Sequence, residues 1–153
     1  YIRDELNFDA AINYKSTPDL SQAVAEACPQ GVDVYFDNVG GEILDATLRH
    51  INQRARIVIC GMIAEYNLEK PPVGPRAGRY LLVNRARMEG FIVFDYRQRY
   101  AEGLNALAEW LRGGQIKYRE DIVEGLENAP RAFLGLLNGK NFGKLLVRVS
   151  GTD

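Results

Sequence analysis

Between residues 10 and 112 the chain alternates short apolar or β-branched runs with segments whose apolar residues recur at helical spacing. Parallel strands need a long return connection, and a helix supplies it, so this alternation predicts a doubly wound α/β plan. Residues 10–15 (AAINYK) read as a short strand. Thr17-Pro18-Asp19 reads as a helix start, with a hydroxyl N-cap, proline in the first turn and an acid behind it. Leu20, Val24 and Ala27 carry that helix to Pro29-Gln30-Gly31. Residues 32–39 (VDVYFDNV) form the next strand and stop at Gly40-Gly41. A helix over 42–51 and a doubly buried strand over 55–61 (ARIVICG) follow.

Residues 67–79 interrupt the pattern with Pro71, Pro72, Gly74, Pro75 and Gly78, and read as an irregular loop. A strand over 88–94 (MEGFIVF) comes next. Tyr100, Leu104, Leu107, Ala108 and Leu111 then mark one face of a helix closed by Gly113-Gly114. Beyond 115 the style changes to a strand at Ile122-Val123, a helix over 128–137 and a last strand over 144–149, an added α+β piece.

Composition removes several classes of function. Nineteen Lys and Arg against twenty Asp and Glu leave a net charge of −1, which argues against a general nucleic-acid binder. No apolar run reaches the ~20 residues of a membrane span, and no secretory signal opens the chain. Cys28 and Cys60 read as free thiols in a reducing compartment, so the expected location is cytoplasmic. Two separated cysteines and one histidine cannot build a structural zinc site, so no metal is expected. His50, near a helix C-terminus, reads as structural.

In an open parallel sheet, ligands bind beyond the carboxyl ends of the strands. Three predicted strand ends carry unusual residues there: Asp37-Asn38-Val39-Gly40-Gly41, Cys60-Gly61-Met62 and Gly90-Phe91-Ile92-Val93. Small residues admit a ligand close to the backbone, and Gly40-Gly41 leads into a helix N-terminus. Together they predict a ligand crevice. The chain holds no G-x-G-x-x-G, which a dinucleotide fold carries in its first strand–turn–helix unit. Residues 1–8 (YIRDELNF) read as the end of a helix, so the chain is expected to start midway through such a unit.

The segments DVYFDNVGGEILD, ARIVICGMIAEYN, MEGFIVFDY and GKNFGKLLV, in this order, resemble the zinc-independent medium-chain dehydrogenase/reductase family. The branch they are most similar to contains leukotriene B4 12-hydroxydehydrogenase, the prostaglandin reductases and bacterial curcumin reductase. The resemblance implies the second half of a Rossmann-type doubly wound parallel sheet plus a small C-terminal α+β return segment. Residues 1–114 would be a partial dinucleotide-binding domain lacking its glycine-rich loop, and 115–153 would complete a missing substrate domain. The implied activity is NADPH-dependent reduction of the carbon–carbon double bond of an α,β-unsaturated ketone or aldehyde, carried by a homo-oligomer such as a dimer. A quinone reductase of the same superfamily and a non-catalytic oligomerising module are the competing readings.

The resemblance also implies cofactor contacts. These are Tyr14, Asn38, the segment Cys60, Gly61, Met62, Ile63 to Tyr66, the segment Phe91, Ile92, Val93, and Asn141 in GKNFGK. Tyr14 would lie beside the adenosine 2′-phosphate, and the preference for NADPH over NADH rests on it. Tyr66 is the candidate substrate-side hydroxyl. Some family members carry a substrate-side tyrosine where this chain has Val83.

Without the first strands, the strands over 10–15 and 32–39 would each lose a neighbour, and an unpaired hydrophobic edge invites association. The open edge predicts self-association, strand rearrangement or a missing companion segment, and the absent pyrophosphate loop predicts weak NADPH binding by the isolated chain. Size-exclusion chromatography with light scattering is expected to show oligomers. A well-folded monomer with residues 10–15 standing as an unpaired strand would contradict this.

Overall fold

The computed structural model describes residues 1–150. The chain divides into two compact units, Tyr1–Gln98 and Arg99–Asp153.

The first unit is built on a three-stranded parallel sheet. Its order is β1 (Val32–Asp37), β2 (Ile51–Ile59), β3 (Arg87–Gly90), which follows the chain. Helices α2 (Gly41–Leu48) and α3 (Ala77–Asn84) make the two connections, and α1 (Leu20–Ala27) precedes β1. The core lies on one sheet face, where Leu48, Ile51, Ala55 and Ile57 are buried beneath Val32, Tyr35, Leu44, Leu81 and Met88. Each large aliphatic side chain buried in this way contributes roughly 1.5–3 kcal/mol. On the opposite face Val34 and Phe36 remain 52% and 54% exposed. Among the described residues β1 pairs only with β2, so it is an edge strand.

Local chemistry moves several boundaries away from the sequence expectation. Residues 10–15 form no strand. Ser16 and Thr17 N–H both donate to the Asn13 carbonyl, and the Asn13 side chain accepts from Lys15 N–H at 3.2 Å. The segment satisfies its backbone in a local turn, the alternative that asparagine offers to a strand without a ladder partner. Thr17 is not the N-cap of α1, because its hydroxyl donates to the Asn13 carbonyl at 2.7 Å. Asp19 takes the role, accepting from Gln22 N–H at 3.0 Å.

Strand β2 begins earlier than expected, at Ile51. Its pairing with β1 is irregular between Val32 and Val34, where Arg54 stands at φ 65°. Helix α3 emerges from the end of the proline-rich loop, since Ala77, Tyr80 and Leu81 face the core at helical spacing. Strand β3 is shorter than expected and ends at Gly90. Residues 93–94 belong instead to a 3₁₀ segment, Val93–Arg99. Asp95 causes the change: its carboxylate accepts from Ile92 N–H at 3.3 Å while its own N–H bonds the Ile92 carbonyl, as in a capping box.

His50 follows α2, and its Nε2 meets the Ser21 hydroxyl at 2.8 Å, tying α2 to α1. Both cysteines are free thiols.

The second unit contains α4 (Tyr100–Arg112), β4 (Glu120–Glu124), α5 (Ala129–Leu137) and β5 (Lys144–Arg148). Strands β4 and β5 pair in parallel, with Glu120 opposite Lys144. Gly143 precedes β5 at φ 101°, and a Cβ there would lie 2.3 Å from the Arg119 carbonyl oxygen, so only glycine fits. No helix among the described residues is long and apolar enough to cross a membrane.

Two substitutions separate cap from core. Asp19→Ala is expected to cost about 1 kcal/mol, and Leu48→Ala about 3 kcal/mol, by urea denaturation. Equal losses would contradict the placement of the core beneath α2.

Candidate functional site

Parallel pairing fixes where the three strands stop. Asp37 lies opposite Ile59, and Ile59 opposite Gly90, so the carboxyl ends are level. The ladder runs one step further. Cys60 and Gly61 N–H donate to the Asp37 carbonyl at 2.8 and 3.1 Å, and Phe91 N–H donates to the Ile59 carbonyl at 3.2 Å. Beyond that line the chains part, leaving a shallow pocket of about 370 Å³ lined by Cys60, Gly61, Met62, Tyr66, Phe91 and Ile92. Ile59, Gly90 and Asp95 complete its wall. Sequence reasoning passed over Asp95; its signal was an acid three residues after Ile92, at capping-box spacing.

The turn after β1 is set by Asp37. This side chain is 1% exposed, and its Oδ1 accepts from Val39 N–H at 2.8 Å, Gly40 N–H at 2.9 Å and the Tyr35 hydroxyl at 3.0 Å. Burial first, and then the Asp37 charge and hydrogen bond, hold the Tyr35 phenol well above its ordinary pKa, so it stays protonated and donates. Gly40 sits at φ 71°, which glycine adopts without strain. Asn38 is thereby left exposed at the mouth of the sheet.

The segment after β2 is stitched to this turn. Ile63 N–H donates to the Asn38 carbonyl at 3.2 Å and Ala64 N–H to the Val39 carbonyl at 3.0 Å. Tyr66 folds back so that its hydroxyl oxygen accepts from Met62 N–H at 2.9 Å. Among the described residues that hydroxyl donates its own hydrogen to no protein group. A Cβ added at Gly61 would lie 3.3 Å from the Tyr66 hydroxyl and 3.4 Å from the Asn38 carbonyl oxygen, so glycine keeps the floor open.

A larger cavity of about 640 Å³ lies beside the first turn of α2 and the segment Pro72–Pro75. Of the residues expected at the cofactor, only Tyr14 lines it. Glu42, Asp45 and Glu65 give it an acidic wall. The Glu65 carboxylate accepts from Gly41 N–H at 3.1 Å, at the positive end of α2. Desolvation raises the Asp45 carboxyl above its ordinary value; Arg49 opposes the shift, and Glu65 and Glu42 add to it.

The expected residues thus fall into groups. Cys60, Gly61, Met62, Tyr66, Phe91 and Ile92 surround one pocket, with Asn38 beside Gly61. Ile63 and Val93 flank it as exposed side chains outside the lining. Tyr14 lines the other cavity, and Asn141 belongs to the second unit, where its side chain donates to the Gly143 carbonyl at 2.8 Å. Among the described residues no three His, Cys, Asp or Glu side chains gather as a metal site.

Comparison with known proteins adds independent information. The sequence profile described as zinc-binding dehydrogenase matches residues 6–147. A Bacillus subtilis protein named as an NADP-dependent oxidoreductase, YfmJ, is 52% identical over 152 residues, covering 98% of this chain and 45% of the relative. The NADPH-dependent curcumin reductase of Escherichia coli is 42% identical over 153 residues, covering 97% of this chain and 44% of that protein. The crystal structure of CurA from Vibrio vulnificus in complex with NADPH superposes with a TM-score of 0.90 at 44% identity, over 99% of this chain and 46% of that one. The chain therefore spans somewhat under half the length of these relatives. The zinc in the profile's description finds no ligand set among the described residues.

The acidic wall of the larger cavity has a measurable consequence. A carboxyl whose pKa is raised on folding binds its proton more tightly folded than unfolded, so its effect on stability is least unfavourable at low pH. Stability is then lost as pH rises from the ordinary Asp value through the raised one. Asp45→Asn removes this loss and is expected to raise Tm at neutral pH and flatten the Tm profile across the acid range. A lower Tm at neutral pH would contradict it.

Proposed function

The chain belongs to the zinc-independent medium-chain dehydrogenase/reductase family, and we propose on that footing that it serves NADPH-dependent reduction of the carbon–carbon double bond of α,β-unsaturated ketones or aldehydes. The observation that carries the reading is the level row of strand ends. It sets Cys60, Gly61, Met62, Phe91 and Ile92 around one open pocket, with the Asn38 backbone beside Gly61, where an open parallel sheet takes its ligand.

The residues fit a nicotinamide nucleotide. Gly61 provides a floor that any Cβ would crowd, so a flat ring can approach backbone there. Phe91 and Ile92 supply an apolar wall, and the Asn38 side chain offers both a donor and an acceptor. NADPH, when bound, supplies the hydride that the β-carbon of the enone takes up. As that carbon accepts the hydride, negative charge develops on the carbonyl oxygen, a hydrogen-bond donor must meet it, and a proton from solvent must then reach the α-carbon to complete the reduction. Tyr66 suits the task. Its oxygen already accepts from Met62 N–H, which polarises the hydroxyl and aims its hydrogen away from the loop.

In this reading Ile63 and Val93 flank the cofactor, Tyr14 lies beside the 2′-phosphate, and Asn141, which belongs to the second unit, is a further cofactor contact that the family resemblance implies. The protein acts in the cytoplasm as a homo-oligomer, most simply a dimer, with the exposed edge of β1 as one source of association.

The test supplies the chain with the amino-terminal portion of the E. coli curcumin reductase and follows NADPH oxidation with and without an enone. Enone-dependent consumption is expected, with Tyr66→Phe lowering kcat by roughly 10- to 100-fold at little change in KM. NADPH consumption with quinones alone, or an unaltered Tyr66→Phe variant, would contradict the reading.

A further inference from the structure

Asp37 is the most deeply buried charged side chain at the strand ends, and no cofactor or substrate atom is assigned to it. Its Oδ1 holds the Val39 and Gly40 N–H groups, which fixes the turn that presents Asn38. Its main-chain carbonyl holds the Cys60 and Gly61 N–H groups, which fixes the start of the segment that ends at Tyr66. One residue therefore joins the turn that presents Asn38 to the Cys60–Met62 segment that lines the pocket. The rest of its surroundings point the same way. The protonated Tyr35 hydroxyl donates a third hydrogen bond to Oδ1, while Oδ2 is buried with no partner among the described residues. A buried carboxylate with an idle oxygen is an expensive way to close a turn, because an uncompensated lone pair costs desolvation energy. A serine or asparagine could cap the same turn with less burial of charge. What the carboxylate adds is several hydrogen bonds on one oxygen, each strengthened by the full negative charge. That rigidity is useful where a ligand must be placed to within a fraction of an ångström.

We propose that Asp37 is a positioning residue for the nicotinamide nucleotide, acting by locking the Asn38–Gly40 turn to the Cys60–Met62 segment. The proposal rests on the reading of the pocket as a nucleotide site. Asp37 touches no ligand itself; it acts through Asn38 and Gly61.

The test uses the ¹⁵N-labelled chain in three variants: Asp37→Ala, Asp37→Asn and Ile51→Val. The last lies at the other end of β2, under the same core, and serves as a stability control. Each is titrated with NADPH, and the initial slope of the amide shifts gives relative affinity even for weak binding. Amide hydrogen exchange is recorded in parallel. Asp37→Ala is expected to lower the slope about tenfold or more, and to speed exchange at Val39 and Gly40, which lose their side-chain acceptor, more than at Cys60 and Gly61, whose main-chain acceptor alanine keeps. Asp37→Asn keeps an acceptor at Oδ1, so it restores exchange protection at Val39 and Gly40 and most of the slope. Ile51→Val lowers Tm without changing the slope.

An unchanged slope in folded Asp37→Ala overturns the proposal, as does an equal loss in Ile51→Val. Should Asp37→Ala fail to fold, Asp37→Asn decides: rapid exchange at Val39 and Gly40 with a wild-type slope overturns the proposal, and protected amides with a wild-type slope support it. Should wild-type chain show no NADPH shifts at these residues, the nucleotide reading fails. The exchange rates of Asp37→Ala against Ile51→Val then still decide whether Asp37 locks the two turns.

Discussion

Everything at the candidate site depends on the parallel register that brings Asp37, Ile59 and Gly90 to one level. In parallel strands the side chains on one face point into the core together, and the backbones leave the sheet together. Burial of Ile57 and Ala55 on that face pins β2, because a slip of one residue would turn them to the other side. Once β2 is pinned, Cys60 and Gly61 must emerge beside Asn38, and Phe91 beside Cys60. The pocket is therefore a consequence of core packing several residues away.

Two concavities compete for attention, and electrostatics separates them. The larger one carries Glu42, Asp45 and Glu65, and the raised Asp45 carboxyl reflects partly the repulsion among them. A dinucleotide brings phosphates, and a wall of carboxylates repels phosphates at short range. The smaller pocket presents Asp95 as its one carboxylate, with apolar and small residues elsewhere. Its carboxylate is occupied by the Ile92 N–H. Size alone would favour the acidic cavity. Within the larger one, Tyr14 and the turn of Val39, Gly40 and Gly41 are what bears on the nucleotide reading.

Much of this was legible in the sequence. The β-branched run before Asp37 and the apolar run before Cys60 identify strands, although the core covers one sheet face where the apolar run suggested burial on both, and Gly40-Gly41 marks the turn between β1 and α2. The strand ends themselves were legible, because the topology of a parallel sheet brings them to one edge. The misses share a physical cause: a short local hydrogen bond that composition does not reveal. Asn13 closes a turn where β-branched and aromatic residues suggested a strand. Asp95 turns the chain into a 3₁₀ segment where Phe91, Ile92 and Val93 suggested a continuing strand. Helix α3 was hidden by the prolines just before it, although Ala77, Tyr80 and Leu81 carry its core-facing spacing. Asp37 was visible as a residue, but its burial and its two-sided hydrogen bonding come only from the fold.

The most direct examination of the account is a crystal structure of the chain grown with NADPH. The account predicts the nicotinamide ring against Gly61, between the Asn38 turn and Phe91, with the Tyr66 hydroxyl facing the space beside it. Nucleotide density seated in the acidic cavity beside α2, with the strand-end pocket empty, would contradict it.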